Sequence, residues 1–147
     1  MTPALIHEIA RRTGLDAGAL GRARERLERE PAVQIAYVFG SRGRGNHRPH
    51  SDVDIAVVTS APQDTAWHFT VESDLQSLLG KPVDLVILGG AGPDLEWAAR
   101  RDGILAINRD EDLRVRTHWL ALVEYADTEP VRRFRDQAIE RWAGITS

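Results

Sequence analysis

The sequence predicts an α/β domain built on a small mixed sheet, with helices on one main side and a helical C-terminal part. Four short apolar runs typical of strands alternate with segments whose apolar residues recur at helical spacing. The apolar runs lie at 36–39, 52–58, 81–88 and 103–107. Of the 147 residues, 42% are hydrophobic and 28% are charged, as in ordinary globular proteins.

We expect one domain over 1–147 that divides into three parts. These parts are N-terminal helices in 1–30, a core in 33–107 that would carry the chemistry, and C-terminal helices in 110–147.

The first thirty residues predict two helices. Apolar residues between 5 and 9 recur at helical spacing, and Gly14 ends that pattern. Asp16 is a suitable N-cap for a second helix, which ends before Pro31. Two helices joined by a glycine turn also allow a helix-turn-helix that binds DNA, but their mixed charge favours a hairpin packed on the core.

A third helix is predicted between the second and third apolar runs. It spans 65–79 and is closed by Gly80. A crossover of this length permits the two strands that it connects to pair in parallel.

Three further helices are predicted towards the C-terminus. Asp94 would cap the first, which ends at Arg101, and Asp110 or Asp112 would cap the second. Pro130 lies in the first turn of the last helix. Its apolar stripe consists of Val131, Phe134, Ala138 and Trp142.

Few side chains in this C-terminal part invite a functional interpretation. We expect most of the aromatic residues Trp119, Tyr125 and Trp142 to pack in the core, although they could serve a partner interface. His118 is expected to be a surface or core histidine rather than a ligand.

The segment from Gly40 to Arg48 has the features of a phosphate site. Gly40 ends the first apolar run, where the lack of a Cβ lets the backbone approach a ligand. Ser41 can begin a helix whose free N–H groups favour an anion. No Asp or Glu occurs between 31 and 51, whereas Arg42, Arg44 and Arg48 do, and arginine binds phosphate oxygens bidentately.

Asp52 and Asp54 lie two apart at the start of the second apolar run, so both side chains share one face of a strand. Paired carboxylates hold hard cations such as Mg²⁺, and a pair can bridge two ions. Asp84, the only acid of the third run, would complete the site as a third metal ligand or as the general base.

Each motif alone has an ordinary structural explanation. Asp-x-Asp is commonly a solvated strand end, and Gly-Ser is commonly a turn. Their joint order, with ten residues between Ser41 and Asp52 and a third aspartate on the next strand, favours a metal-dependent nucleotidyl or phosphoryl transfer site.

These residues resemble the minimal nucleotidyltransferase domain of the DNA polymerase beta superfamily, whose signature is Gly-Ser, ten residues, Asp-x-Asp. Gly40, Ser41, Asp52 and Asp54 match it position by position. Within that superfamily the chain is most similar to the MntA antitoxins, which are paired with HepT toxins of the HEPN class. The resemblance is specific over 33–88 and weaker over 95–127. Where small members often have Ala, this chain has Gly43, which should leave the turn looser.

The resemblance implies an activity and a partner. Members transfer AMP from ATP to a tyrosine of the toxin, which silences its RNase activity. By that resemblance, Gly40, Ser41 and Arg42 would bind the triphosphate, Asp52 and Asp54 would share two Mg²⁺ ions, and the chain would form a hetero-oligomer with a HEPN-type toxin.

Three alternatives remain open from the residues alone. The acceptor could be a small-molecule hydroxyl, although only about sixty residues follow Asp84, which favours an acceptor on a partner protein. The chain could instead mask its toxin by binding without chemistry, although masking needs no aligned carboxylates. It could also regulate itself by binding DNA.

Composition narrows the class of protein. The net charge of −3 gives no general attraction to nucleic acid. There is no cysteine, and no apolar stretch of about 18 residues that would predict a membrane span. We therefore expect a cytoplasmic protein.

Overall fold

The computed structural model describes residues 3–144, which form a four-stranded sheet with helices on both faces. The helices are α1 (Pro3–Thr13), α2 (Ala17–Glu28), α3 (Gly40–Arg44), α4 (Thr65–Leu79), α5 (Pro93–Asp102), α6 (Glu111–Asp127) and α7 (Glu129–Trp142). The strands are β1 (Val33–Phe39), β2 (Val53–Thr59), β3 (Val83–Ile87) and β4 (Ile104–Asn108).

The strands are ordered β3-β2-β1-β4, and β1 runs antiparallel to both of its neighbours. The helix α4 connects β2 to β3, which pair in parallel, so the predicted parallel crossover is confirmed. The C-terminal end of β1 therefore lies beside the N-terminal ends of the other three strands. We call this edge of the sheet the site end.

Helices cover both faces of the sheet, so the prediction of one main side was wrong. The helices α1, α2 and α4 pack on one face, whereas α5 and α6 pack on the other. The second face needs cover because Tyr37, Phe39, Ala56 and Val58 make it apolar as well. A central strand that is buried on both faces has a continuous apolar sequence, so its pattern does not indicate that helices cover the second face.

Two of the predicted helix caps are confirmed. The carboxylate of Asp16 accepts a hydrogen bond from the Ala19 backbone N–H at 2.9 Å, and that of Asp110 accepts one from Leu113 at 2.9 Å. These bonds satisfy backbone donors that have no partner within the helix.

The predicted cap of α5 was wrong. Gly92 occupies the cap position with φ of +94°, and Pro93 follows in the first turn. The carboxylate of Asp94 instead pairs with Arg135 at 3.1 Å and with Arg132 at 3.7 Å, which ties the start of α5 to α7.

Side chains of α4 hold the outer edge of β3. Glu72 Oε2 accepts a hydrogen bond from the Leu85 N–H at 2.9 Å, and Gln76 Oε1 accepts one from the Val83 N–H at 3.2 Å. Because Asp84 lies between these two anchored residues, its position on the strand is fixed from outside the sheet as well as from β2.

The C-terminal helices expose apolar side chains that were predicted to be mostly buried. No residue of α7 is buried, and Trp142 is 90% exposed. Trp119 of α6 is also exposed, so core packing was the wrong expectation for both tryptophans. Tyr125 is half-buried between the ring of Trp97 and the guanidinium of Arg132.

A membrane-crossing helix is not found within residues 3–144, because none of these helices combines the necessary length and apolar character.

Candidate active site

The end of β1 approaches β2 so closely that only glycine fits between them. Gly40 has φ of +67°, and a Cβ there would lie 2.1 Å from Asp54 Oδ2. The short helix α3 begins at this glycine, and the half-buried Ser41 lies in its first turn. The missing side chain therefore brings the start of α3 directly against a carboxylate, as a site that joins phosphate and metal requires.

The three predicted carboxylates gather at the site end. Asp54 and Asp84 are paired positions on the parallel strands β2 and β3, and Asp52 lies just before β2. Burial raises the pKa of Asp54, and the negative charges of Asp84 and Asp52 raise that pKa further. Because all three carboxylates influence one titration, they form one electrostatic site.

The chemistry of these oxygen ligands fits Mg²⁺. Among residues 3–144 there is no preformed group of three or more His, Cys, Asp or Glu side chains around a common metal position. Proteins usually hold Mg²⁺ with one or two carboxylates, and substrate phosphates and water complete the shell. The ionised form of Asp54 is destabilised by burial and by two like charges, so a cation bound there would relieve both.

The structure gives Arg42 a role other than the predicted contact with phosphate. Its side chain is buried, with 1% of the residue exposed. The guanidinium donates one hydrogen bond to the Thr13 carbonyl and one to the Ser51 carbonyl, each 2.9 Å long. The predicted phosphate contact of Arg42 has no support from this buried placement, and the spacing of the arginines in 42–48 does not indicate which of them turns inward.

Arg44 is the arginine of this run whose charge acts on the carboxylate site. Its side chain is exposed, and its positive charge partly offsets the rise that burial, Asp84 and Asp52 cause in the pKa of Asp54. Residues two apart on a helix do not share a face, so Arg44 points elsewhere when Arg42 points inward. The Arg-Gly-Arg-Gly run indicated that an arginine acts near the site, but the spacing alone did not distinguish Arg44 from Arg42.

Gly43 is tightly packed, so the expectation of a looser turn was wrong. A Cβ at this position would lie 2.8 Å from the Asp102 carbonyl oxygen and 2.9 Å from that of Val38. The absence of a side chain lets α3 lie against both the end of α5 and the end of β1.

A separate cleft of about 480 Å³ lies on the α5–α6 face of the sheet, next to the C-terminal end of β3. The glycine-rich turn 89–92 forms part of its wall, and the buried pair Glu96 and Arg100, 2.9 Å apart, lines another part. Glu96 also accepts a hydrogen bond from the Gly89 N–H. The cleft lies at the opposite end of β3 from Asp84, so it is distinct from the carboxylate site.

Comparison with known proteins relates this arrangement to nucleotidyltransferases. A curated relative, the protein adenylyltransferase MntA of Shewanella oneidensis, is 38% identical over 61 residues. That match covers 42% of this chain and 44% of the relative, so it spans less than half of either protein.

Solved structures agree on the fold. A toxin–antitoxin complex with AMP-PNP contains a chain that matches with a TM-score of 0.71 at 24% identity, over 80% of this chain and 96% of that one. A complex of a tri-AMPylated Shewanella oneidensis HEPN toxin with an MNT antitoxin contains a chain that matches with a TM-score of 0.66 at 20% identity, over 82% of this chain and 98% of that one. At these identities the likeness shows the fold.

The family model for polymerase beta nucleotidyltransferases matches residues 22–112, which is more than half of the chain. The matched stretch contains the glycine at the end of β1 and all three carboxylates of the site end. This chain therefore belongs to the polymerase beta nucleotidyltransferase family.

Proposed function

We propose that this chain is a Mg²⁺-dependent protein adenylyltransferase that acts as an antitoxin. It transfers AMP from ATP to a tyrosine hydroxyl of a HEPN-type RNase toxin and thereby neutralises the toxin. The observation that carries the proposal is the pairing of Asp54 with Asp84 directly beside Gly40, because it places carboxylates and a phosphate-binding turn within one site.

The residues of the chain divide the work of binding. Gly40 and Ser41 receive the triphosphate at the start of α3, and the exposed Arg44 adds positive charge there. Asp52 and Asp54 would hold Mg²⁺, which would supply positive charge next to the phosphates. Family membership and the curated MntA relative support ATP as the nucleotide.

Asp84 is the carboxylate that the acceptor hydroxyl would contact. It is exposed, whereas its neighbour Asp54 is half-buried, so an incoming hydroxyl can reach it from solvent. In the transfer, the tyrosine oxygen forms a bond to the α-phosphorus while the bond to the β-phosphate oxygen breaks and pyrophosphate leaves. Asp84 accepts the tyrosine proton as general base, or completes the metal site as a third ligand.

These two roles of Asp84 can be separated with Asp84→Asn. Loss of a base removes the acidic limb of the pH–rate profile and leaves the Mg²⁺ concentration at half-maximal rate unchanged. Loss of a ligand raises that Mg²⁺ concentration instead, because the remaining oxygens hold the ion less tightly.

The curated relative and the complexes of similar fold support a protein acceptor. MntA is itself a protein adenylyltransferase, and the matching structures are of toxin–antitoxin complexes, one of which contains an AMPylated toxin. Because ATP and the RNA that an RNase toxin cleaves are cytoplasmic, we place the pair there and expect a hetero-oligomer.

The test is the intact mass of a HEPN-type toxin encoded beside this chain. The toxin is co-expressed with the wild type and, separately, with Asp52→Asn/Asp54→Asn. One or more AMP-sized additions that appear only with the wild type support transfer by these carboxylates. An unmodified toxin in both cultures contradicts the proposal.

Masking by binding alone is the second candidate function, and one observation favours it. The apolar side chains Phe134 and Trp142 of α7 are 71% and 90% exposed, as expected of a surface that a partner covers. An unmodified toxin that co-purifies with the double variant and remains silent would establish masking. Modification confined to the wild type would exclude masking as the whole explanation.

A further inference from the structure

Two side chains, one from α3 and one from the loop 45–52 that follows it, reach one backbone turn between α1 and α2, here called the hairpin turn (residues 13–15). The Arg42 guanidinium donates a 2.9 Å hydrogen bond to the carbonyl of Thr13, which is fully buried. The His47 ring lies over Gly14, where a Cβ would come within 2.1 Å of His47 Nε2. The hairpin turn therefore accepts a hydrogen bond from α3 and is in contact with the His47 ring of the loop.

The other end of the Arg42 guanidinium reaches the residue before the first carboxylate. Its Nη2 donates to the Ser51 carbonyl at 2.9 Å, and Ser51 is followed directly by Asp52. The loop closes on itself at the same place, because the Arg48 N–H donates to Ser51 Oγ at 2.8 Å and the Ser51 N–H donates to the Arg48 carbonyl at 3.0 Å. Arg42 thus bridges the hairpin turn and the backbone from which Asp52 projects.

The hairpin turn lies outside residues 22–112, the stretch that matches the family model. Family membership therefore assigns no role to it. Thr13 has no exposed surface, and its hydroxyl donates a hydrogen bond to the Ile9 carbonyl at 2.8 Å, so the turn is joined to the end of α1.

We propose that Arg42 is a positioning residue, and that the hairpin turn, held by Arg42 and His47, sets the position of Asp52 relative to Asp54. The inference rests on the proposed function, since the positioned carboxylates are those assigned to Mg²⁺. Arg42 itself touches neither nucleotide nor acceptor. Because its two hydrogen bonds join the hairpin turn to the residue before Asp52, the position of the hairpin turn determines the position of the start of β2.

Gly14→Ala tests the contact with His47 and has a matched control in the same protein. Gly14 and Gly80 have φ of +71° and +66°, so alanine meets the same backbone strain at either position. Nothing lies within 4 Å of a Cβ at Gly80, whereas a Cβ at Gly14 collides with the His47 ring. Any excess effect of Gly14→Ala over Gly80→Ala therefore reports the displaced loop.

The first readout is hydrogen exchange of backbone amides 46–54 in the protein without metal or nucleotide. We expect Gly14→Ala to speed exchange in this segment at least tenfold over Gly80→Ala, with no difference between the two variants in α6, which contains neither glycine. We also expect His47→Ala to speed exchange in this segment. Because both changes disturb the same contact, exchange in the double variant Gly14→Ala/His47→Ala should be no faster than in the faster single variant. Equal exchange in the two glycine variants, or effects that multiply in the double variant, would overturn the inference.

The second readout is the rate of AMP transfer to the co-purified HEPN-type toxin. Arg42→Met should raise the Mg²⁺ concentration at half-maximal rate at least fivefold and lower kcat more than it raises the KM for ATP. Arg42→Lys, which retains a donor for one carbonyl, should recover part of the loss. A direct phosphate contact would instead raise the KM for ATP with little change in half-saturating Mg²⁺, and that result would refute the positioning role.

The activity of the wild type distinguishes failure of the proposed function from failure of the positioning role of Arg42. If the wild type leaves the toxin unmodified, the proposed function fails, while the exchange comparison still decides whether the hairpin turn holds the loop. If the wild type modifies the toxin and Arg42→Met does so with unchanged kcat and Mg²⁺ dependence, the positioning role alone fails.

Discussion

The site end of the sheet and the C-terminal helix α7 use their side chains in opposite ways. At the site end even an arginine is buried, with 1% of Arg42 exposed and both of its hydrogen bonds made to backbone carbonyls. In α7 even a tryptophan is exposed, with Trp142 at 90%. The comparison teaches that apolar character alone does not decide burial in these two regions, because an arginine with two backbone carbonyl partners is buried and a tryptophan on an uncovered helix is exposed.

The same contrast appears in the surroundings of one carboxylate from each region. Asp54 lies near two like charges and is partly buried, which is an unfavourable arrangement for a carboxylate without a cation. Asp136 of α7 is exposed and pairs with Arg135 at 3.2 Å. A region that retains electrostatic repulsion is expected to be functional, whereas exposed ion pairs contribute little to stability or activity.

The largest expected effect is on catalysis and compares these two carboxylates. Asp54→Asn should lower AMP transfer at least about a hundredfold, because even residues behind metal ligands cost 10–100-fold when changed. Asp136→Asn, the same change on α7, should leave the initial rate within about twofold of the wild type. Both rates are measured with purified toxin, saturating ATP and Mg²⁺, and circular dichroism checks the fold. Equal rates in the two variants would remove Asp54 from the site.

The second prediction concerns stability and compares an apolar residue of each region. Leu75 of α4 is fully buried under the sheet, so Leu75→Ala should lower the free energy of unfolding by about 2–5 kcal/mol. Phe134→Ala on α7, where 71% of the residue is exposed, should change it by less than about 0.5 kcal/mol. Urea unfolding of both variants measures the difference. A large loss for Phe134→Ala in the isolated chain would mean that α7 packs on the domain.

Much of the site could be predicted because its residue types follow one another at fixed spacing. The helical crossover allowed the strand of Asp84 to lie beside β2, and the structure pairs Asp84 with Asp54. The glycine at the end of β1 was also predicted, since close approach needs a residue without a Cβ.

The remaining features depend on contacts between residues far apart in sequence. Nothing in the Arg-Gly-Arg-Gly run shows that Arg42 bonds to Thr13, which lies 29 positions away. The second helical layer was missed because a fully buried strand has no polar face to reveal it. The exposure of α7 was missed because an apolar stripe shows amphipathicity but not whether the chain itself covers it.

The third prediction tests whether the tight packing of the site end tolerates a Cβ at position 43. Gly43→Ala should lower the free energy of unfolding by about 1–3 kcal/mol, the usual cost of overpacking. The added Cβ would lie within 3 Å of two backbone carbonyl oxygens, at Asp102 and Val38, and neither can move as a side chain could. Thermal unfolding measures the change, and Gly90→Ala, with nothing within 4 Å of its Cβ, is the control. Equal stability of the two variants would mean that the end of α5 moves aside freely.

The smallest expected effect is a pH dependence in the contact between α5 and α6. Burial lowers the pKa of His118 below its ordinary value of 6.5, and the positive charges of Arg114 and Arg100 lower it further. Its ring packs edge-on against Trp97, with centroids 5.3 Å apart. The unfolded chain therefore binds this proton more tightly than the folded chain does, so stability is fully present above pH 6.5 and falls as the pH drops through the lowered pKa. His118→Gln cannot gain this proton and should lose less stability than the wild type between pH 7.5 and 5. Thermal unfolding of both proteins across that pH range measures the difference. Equal losses of stability in the two proteins would mean that His118 takes up its proton without disturbing the contact between α5 and α6.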